Sequence, residues 1–225
     1  MQQKIPKIIH YVWLGSDLPQ KVQQIIAHNK QYTPSYQIKI WTDDNVPNMP
    51  GFAVKAREDK NWAFLSDYMR MVKLEQYGGI YLDTDQKLLR PIDDLLIHSF
   101  FAGWNREGTF VYTGIIGASA NNSIIKKVIE QYEILKYDRK LTSPKIITEC
   151  LKGFPQNKDI KLYSSKYFYP ISADEMSSAE KLSGAYSTHL WNESWVRLRI
   201  IRKILRKLKI IRLYKRIKGY FNKLR

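Results

Sequence analysis

The chain has 225 residues, a formal net charge of +16 and one cysteine, Cys150. That length suits one domain, or one domain with a tail, and can bury a core of useful size. A single thiol excludes a disulfide framework and fits a reducing compartment. No run approaches the roughly 20 apolar residues that span a bilayer. Residues 1–10 lack the apolar core of a secretory leader, so a cytoplasmic protein is expected.

In chain order, residues 7–14 are short, β-branched and aromatic, and Gly15 follows them; they predict a buried strand. Residues 20–32 carry Val22, Ile25 and Ile26 at helical spacing. Residues 36–41 alternate apolar and polar side chains and predict a second strand. A helix is expected over 61–77, ended by Gly78 and Gly79, with a strand over 80–83 directly after. Further strands are expected at 100–104 and 110–118. Helices are expected at 122–135 and 144–151, the second capped by Thr142 or Ser143 with Pro144 in its first turn. The alternation of strand and helix through the first 85 residues predicts a mostly parallel α/β sheet covered on both faces. Such sheets bind ligands at the carboxyl ends of their strands. Trp13 and Asp83 both fall there, so they are expected to share one crevice.

Asp83-Thr84-Asp85 places two carboxylates two residues apart, just beyond a buried strand. Oxygen ligands of this kind suit Mg²⁺ or Mn²⁺, which can bridge a diphosphate and stabilise it as a leaving group. Taken alone, the pattern also fits a solvated turn. Asp67 and Arg70 are three residues apart on a predicted helix and share a face. Arg presents a fork of donors to phosphate and Asp accepts from hydroxyls, but the two also fit a surface ion pair. His10 fits a core histidine. Trp13 fits either the core or a stacking platform. A dehalogenase-type phosphatase would also use a carboxylate pair, but Gln86 and Lys87 after Asp85 depart from its pattern.

The segment from Ala63 through Ser66-Asp67, Arg70, Gly78-Gly79-Ile80-Tyr81-Leu82-Asp83-Thr84-Asp85 resembles the DXD-containing sugar-transferase family, glycosyltransferase family 32. That family includes yeast mannosyltransferases, bacterial capsule and lipopolysaccharide glycosyltransferases, and the catalytic domains of clostridial glucosylating toxins. The opening run Ile5 to Gly15 and the closing run His189-Leu190-Trp191-Asn192-Glu193-Ser194-Trp195 resemble the same family, so the likeness covers residues 5–195. It implies a GT-A, Rossmann-like nucleotide-diphospho-sugar transferase core over 1–195, with retention of anomeric configuration. It implies Asp85 as direct metal ligand and Asp83 as metal support and donor contact. Trp13 is implied as the base-stacking ring, Tyr81 as a nucleotide contact, and Asp67 and Arg70 as the grip on the donor. His189, Ser194 and Trp195 are implied as the group closing over diphosphate and metal, with either His189 or Glu193 as the third ligand. The implied partners are a UDP- or GDP-sugar and a glycan acceptor, with Mn²⁺ or Mg²⁺ as cofactor.

Charge is unevenly spread: residues 196–225 contain 13 Lys and Arg and no acid, leaving +3 for residues 1–195. Ile201, Ile204, Leu208, Ile211 and Tyr214 recur at helical spacing, which predicts a basic amphipathic helix. Such a helix fits an anionic membrane surface. No nucleic-acid motif accompanies the charge. The expected protein is thus peripheral at the inner face of the cell membrane, acting on a lipid-linked acceptor in capsule or O-antigen synthesis. A catalytically silent membrane-bound scaffold of the same fold is the competing class.

Overall fold

The computed structural model describes residues 2–46, 48–155, 157–171 and 179–191. All elements below lie within the unit Met1–Leu190. Ser194, Trp195, Glu193 and the amphipathic tail lie outside the described residues.

Strand β1 (Ile8–Val12) leads into helix α1 (Gln20–Tyr32) and strand β2 (Gln37–Trp41). Helices α2 (Gly51–Glu58) and α3 (Trp62–Tyr77) follow, then β3 (Gly79–Leu82) and β4 (Gln86–Leu88). Strands β5 (Phe100–Trp104) and β6 (Val111–Ala118) form a hairpin, and α4 (Ser123–Ile134) and α5 (Ser143–Leu151) pack behind it. Strand β7 (Ile160–Tyr163), the short helices α6 (Ser165–Phe168) and α7 (Ala179–Leu182), and β8 (Ser187–His189) complete the unit.

Strand order in the main sheet is β2-β1-β3-β6-β5-β7. Strands β1, β2 and β3 are mutually parallel; β6 alone runs against its neighbours β3 and β5, and β7 is parallel to β5. Period-two alternation divides the sheet's side chains between two cores. Tyr81, Phe100 and Ile116 face one core, with Phe52 of α2, Leu65 and Met69 of α3, Val128 of α4 and Ile147 of α5. Ile80, Leu82, Phe101 and Ile115 face the other, with Val22 and Ile26 of α1, Phe168 and Tyr186. The expected two-sided covering is thus observed. The chain leaves β1 through α1 on one face and reaches β3 through α2 and α3 on the other. The ends of β1 and β3 therefore flank the point where the winding reverses, which is where α/β sheets place their ligands.

Helix α2 is not apparent from periodicity: it is eight residues long, begins at a glycine behind Pro50, and buries only Phe52, Ala53 and Ala56. Strand β3 stops at Leu82, so Asp83 already belongs to the turn. Thr142 occupies the cap position of α5, but its side chain makes no capping bond.

Gly78 and Gly79 fix the passage from α3 to β3. Gly78 takes φ +61° and Gly79 φ +109°, values costly for residues with a Cβ. A Cβ on Gly79 would lie 2.6 Å from the Ile8 carbonyl oxygen, so the close approach of β1 and β3 also requires glycine. The Gly78 N–H donates to Leu74 O and ends the helix, while Gly78 O faces His10 Nε2 at 2.8 Å. Trp41 Nε1 donates to His10 Nδ1 at 3.0 Å. Nδ1 is therefore the acceptor and Nε2 carries the proton. His10 is fully buried, in keeping with its reading as a core histidine.

The turn joining β5 to β6 is tied to itself. Asn105 Oδ1 accepts from the N–H groups of Thr109 and Phe110, and Asn105 Nδ2 donates to Glu107 and to the Thr109 hydroxyl. Residues 106–110 of this turn are exposed.

Candidate active site

The carboxyl ends of the parallel strands carry the site. Gln86 N–H donates to Asp83 O, closing a turn that holds both carboxylates of Asp83-Thr84-Asp85 beyond the core. The next residues form β4, whose antiparallel partner is β8: Gln86 pairs with His189 and Leu88 with Ser187. The Leu190 N–H donates to Asp85 O and secures the end of the ribbon. His189 Nε2 thereby lies 3.1 Å from Asp85 Oδ1 and 3.6 Å from Asp83 Oδ2. One ligand atom from each of Asp83, Asp85 and His189 falls within 4.8 Å of the others.

Arg70 reaches this group from α3. One guanidinium nitrogen is 2.9 Å from Asp67 Oδ1 and the other 3.1 Å from Asp83 Oδ1. The latter nitrogen also donates to Thr113 O at 2.8 Å. Arg70 is 5 % exposed, so a surface ion pair with Asp67 is ruled out: the pair is an interior one. Tyr81 lies beneath it, and its hydroxyl donates to Asp83 Oδ1 at 2.8 Å.

Strand β6 opens to make room. Gly103 pairs with Tyr112 and Ala102 with Ile116, so Thr113, Gly114 and Ile115 have no counterpart on β5. Such irregularities re-aim backbone groups near sites. Here Thr113 O accepts from Arg70, Gly114 O from the Asp83 N–H, and the Ile115 N–H donates to the Tyr169 hydroxyl. A Cβ on Gly114 would lie 3.1 Å from Asp83 Oδ2 and 3.1 Å from His189 Cδ2. The glycine leaves the space the acidic group occupies.

Burial works to raise the Asp83 carboxyl, but the Arg70 guanidinium, with His189 and the Tyr81 hydroxyl, outweighs it and holds the group down to about 2. Asp67 goes the other way: burial pushes it up to about 6, against the opposing pull of Arg70 and with added repulsion from Asp83. Burial disfavours the His189 imidazolium, yet Asp83 and Asp85 together raise it above its ordinary value. Three carboxylates thus converge on one guanidinium and one imidazole, a set short of positive charge.

The structure brings Asp67, Arg70, Tyr81, Asp83, Asp85 and His189 together. Trp13 sits just past β1, where its N–H donates to Trp41 O; its indole N–H donates to Asp17 O, and the ring packs against the core on the α1 side. Sequence reasoning missed Thr113, Gly114, Gln86 and Asn29. Asn29 is fully buried on α1, donates to the Tyr11 hydroxyl and to Gln86 O, and accepts from the Leu88 N–H, so it anchors β4. A polar residue at a buried helical position was the available signal.

Residues 19–102 match the family described as "Glycosyltransferase sugar-binding region containing DXD motif". The chain is 25 % identical over 211 residues to an uncharacterized glycosyltransferase of Acanthamoeba polyphaga mimivirus, covering 85 % of this chain and 84 % of that protein. It is 32 % identical over 97 residues to inositol phosphoceramide mannosyltransferase 3 of Schizosaccharomyces pombe, covering 41 % of this chain but 27 % of that protein. In fold it is similar to the PaToxG glycosyltransferase, with a TM-score of 0.55, 20 % identity, and coverage of 67 % and 69 % of the two chains. It is also similar to a glycosyltransferase involved in glycosylation of the major capsid of PBCV-1, with a TM-score of 0.53, 12 % identity, and coverage of 84 % and 96 %. The fold is that of GT-A glycosyltransferases, and the protein is a transferase of sugars. Residues 19–102 carry its likeness to the DXD-containing glycosyltransferase family.

Proposed function

We propose that this glycosyltransferase moves a sugar from a UDP- or GDP-sugar to a glycan acceptor with the help of a divalent cation and with retention at the anomeric carbon. The observation that carries the proposal is the convergence of Asp83, Asp85 and His189 beside the buried Arg70. Two carboxylate oxygens and an imidazole nitrogen fit a divalent metal, and the surplus negative charge of the cluster favours one. Mn²⁺ suits this mixed set better than Mg²⁺, which is bound through oxygens. When bound, the cation would supply Lewis-acid stabilisation of the departing diphosphate.

The chain's own residues do the remainder. Arg70, fixed by Asp67, Asp83 and Thr113 O, presents a preorganised positive charge to the leaving phosphate. Asp67 and Asp83 accept hydrogen bonds from donor hydroxyls. Tyr81 holds Asp83 in place. Trp13, Ser194 and Trp195 act on the nucleotide, the first by stacking on the base and the others by closing over the diphosphate. Residues 1–195 are the catalytic domain and 196–225 a membrane-binding segment. The basic surplus of the tail supports attachment to the cytoplasmic face of an anionic membrane. A lipid-linked acceptor in surface polysaccharide synthesis, as for capsule or O-antigen, is consistent with that placement. The name of the S. pombe relative, which specifies inositol phosphoceramide, adds a lipid-borne acceptor.

The test is a panel of nucleotide sugars, each assayed for donor hydrolysis and for thermal shift with and without Mn²⁺. One sugar nucleotide should stabilise the protein only with Mn²⁺ present and be hydrolysed slowly. Asp85→Ala should abolish both effects while retaining a cooperative unfolding transition. Full turnover in a chelator, or in Asp85→Ala, would remove the metal from the reading.

A further inference from the structure

The ribbon β4–β8 contains a polar side chain whose position in the core has no role in holding the fold cheaply. Gln86 is fully buried. Both hydrogens of its Nε2 are committed, one to Phe168 O at 2.9 Å and one to the Ser187 hydroxyl at 2.6 Å. This fixes the amide, because the reverse orientation would set its oxygen against the Phe168 carbonyl. The other end, Gln86 Oε1, then has no hydrogen-bond partner among the described residues. It faces the space over Gly114, where the same imagined Cβ that meets Asp83 Oδ2 and His189 Cδ2 would find Oε1 at 3.3 Å. A buried acceptor without a partner loses its hydration with nothing in return, which is destabilising. An apolar side chain of equal size would avoid that cost, and Phe168 O would keep the Ser187 hydroxyl, 3.5 Å away.

What the amide does accomplish is a cross-strand clamp. Its backbone is paired with His189, and its side chain grips Ser187 two residues earlier on the same strand. We infer that Gln86 is a positioning residue that holds β8 in register so that His189 Nε2 stays against Asp85 as a metal ligand. This inference rests on the metal reading of the site. Groups that orient a ligand from behind typically change metal affinity 10–100-fold when removed.

The experiment uses the full chain and Mn²⁺ alone, with affinity measured by electron paramagnetic resonance titration and nitrogen coordination by electron spin-echo envelope modulation. Wild type should bind Mn²⁺ with a ¹⁴N modulation that His189→Ala abolishes. Gln86→Met should bind about tenfold more weakly with diminished ¹⁴N modulation, while its Tm is unchanged or higher. Ser187→Ala, which removes the clamped hydroxyl, should weaken binding in the same direction and serves if Gln86→Met does not fold. Val128→Ala, a core truncation on the opposite face of the sheet, should lower Tm without changing Mn²⁺ affinity. Equal affinity and equal modulation in Gln86→Met and wild type would overturn the inference, as would a Val128→Ala loss of affinity as large as that of Gln86→Met. A wild-type protein that binds no Mn²⁺, or binds it without the ¹⁴N modulation, overturns the metal reading and this inference with it.

Discussion

The guanidinium of Arg70 lies over the ring of Tyr81, its central carbon 4.3 Å from the ring centroid. That contact supports Arg70 where one arm of its planar fork meets Asp67 and the other Asp83, while the Tyr81 hydroxyl donates to the same Asp83 oxygen. Lysine keeps the charge but has neither the plane nor the second arm. Arg70→Lys should therefore lower turnover by about 100-fold or more, comparable with loss of a preorganised donor in other sites. Because the pair is interior, stability should fall too, by about 1–3 kcal/mol for the partner left unmet. Steady-state rates and urea unfolding measure the two effects; an unchanged rate would make Arg70 purely structural.

Gly114 is the position where one methyl group should disturb the acidic cluster. Its backbone is not left-handed, so alanine brings no backbone strain, only contacts of 3.1 Å to Asp83 Oδ2 and His189 Cδ2 and of 3.3 Å to Gln86 Oε1. Gly114→Ala should fold with a loss of about 1–3 kcal/mol, as overpacking typically costs. Mn²⁺ affinity should fall about tenfold, as for other disturbances behind a metal ligand. Titration calorimetry with Mn²⁺ decides it, and wild-type affinity would mean the site has slack above β6.

His10 makes stability depend on pH in a defined window. Burial pulls its pKa from 6.5 down to about 4, with the Gly78 carbonyl opposing and Lys39 and Lys73 adding to the fall. The unfolded chain takes up this proton near pH 6.5, and the folded chain only near pH 4. Stability from this residue is complete above pH 6.5 and declines as pH falls toward 4, by about 1.4 kcal/mol per unit and about 3 kcal/mol in all. Protonation would also break the bond from Trp41. Urea unfolding of wild type and His10→Gln between pH 4 and 7.5 isolates the residue by difference. Parallel curves for the two proteins would contradict the assignment.

Truncation after Trp195 addresses the tail. The shortened protein should keep metal-dependent donor hydrolysis and lose sedimentation with anionic liposomes. The intact protein should lose it as salt rises, since surface charges are screened over about 10 Å at 0.1 M. Transfer to a lipid-linked acceptor should fall more than transfer to a soluble analogue. Indifference of the intact protein to liposomes at low salt would remove the membrane from the account.

Where side chains repeat with a period, the chain could be read directly. Helix α1 falls at the residues its spacing predicts, and Asp67 and Arg70 share a face because they are three apart on α3. The cluster of Asp83, Asp85 and His189 was legible only through motif likeness: His189 comes 104 and more residues later, and nothing in local pattern joins it to the two carboxylates. The ribbon that does so consists of two three-residue strands, too short for alternation to register. The opening in β6 was equally silent, because the run Val111 to Ile116 reads the same whether or not Thr113, Gly114 and Ile115 have partners on β5. Gln86 entered the sequence reading only as a departure from a phosphatase pattern; its burial follows from the pairing of β4 with β8.

Strand β6 runs against the rest of its sheet, so the turn from Asn105 to Phe110 stands at the same rim as the ends of β1 and β3. That turn is closed by Asn105, whose side chain accepts from the N–H groups of Thr109 and Phe110. Loop tips of this kind accept insertions and exchange with little effect on the framework that carries them. A lineage could therefore rewrite this hexapeptide while Asp67, Arg70, Asp83, Asp85 and His189 remain untouched on separate elements.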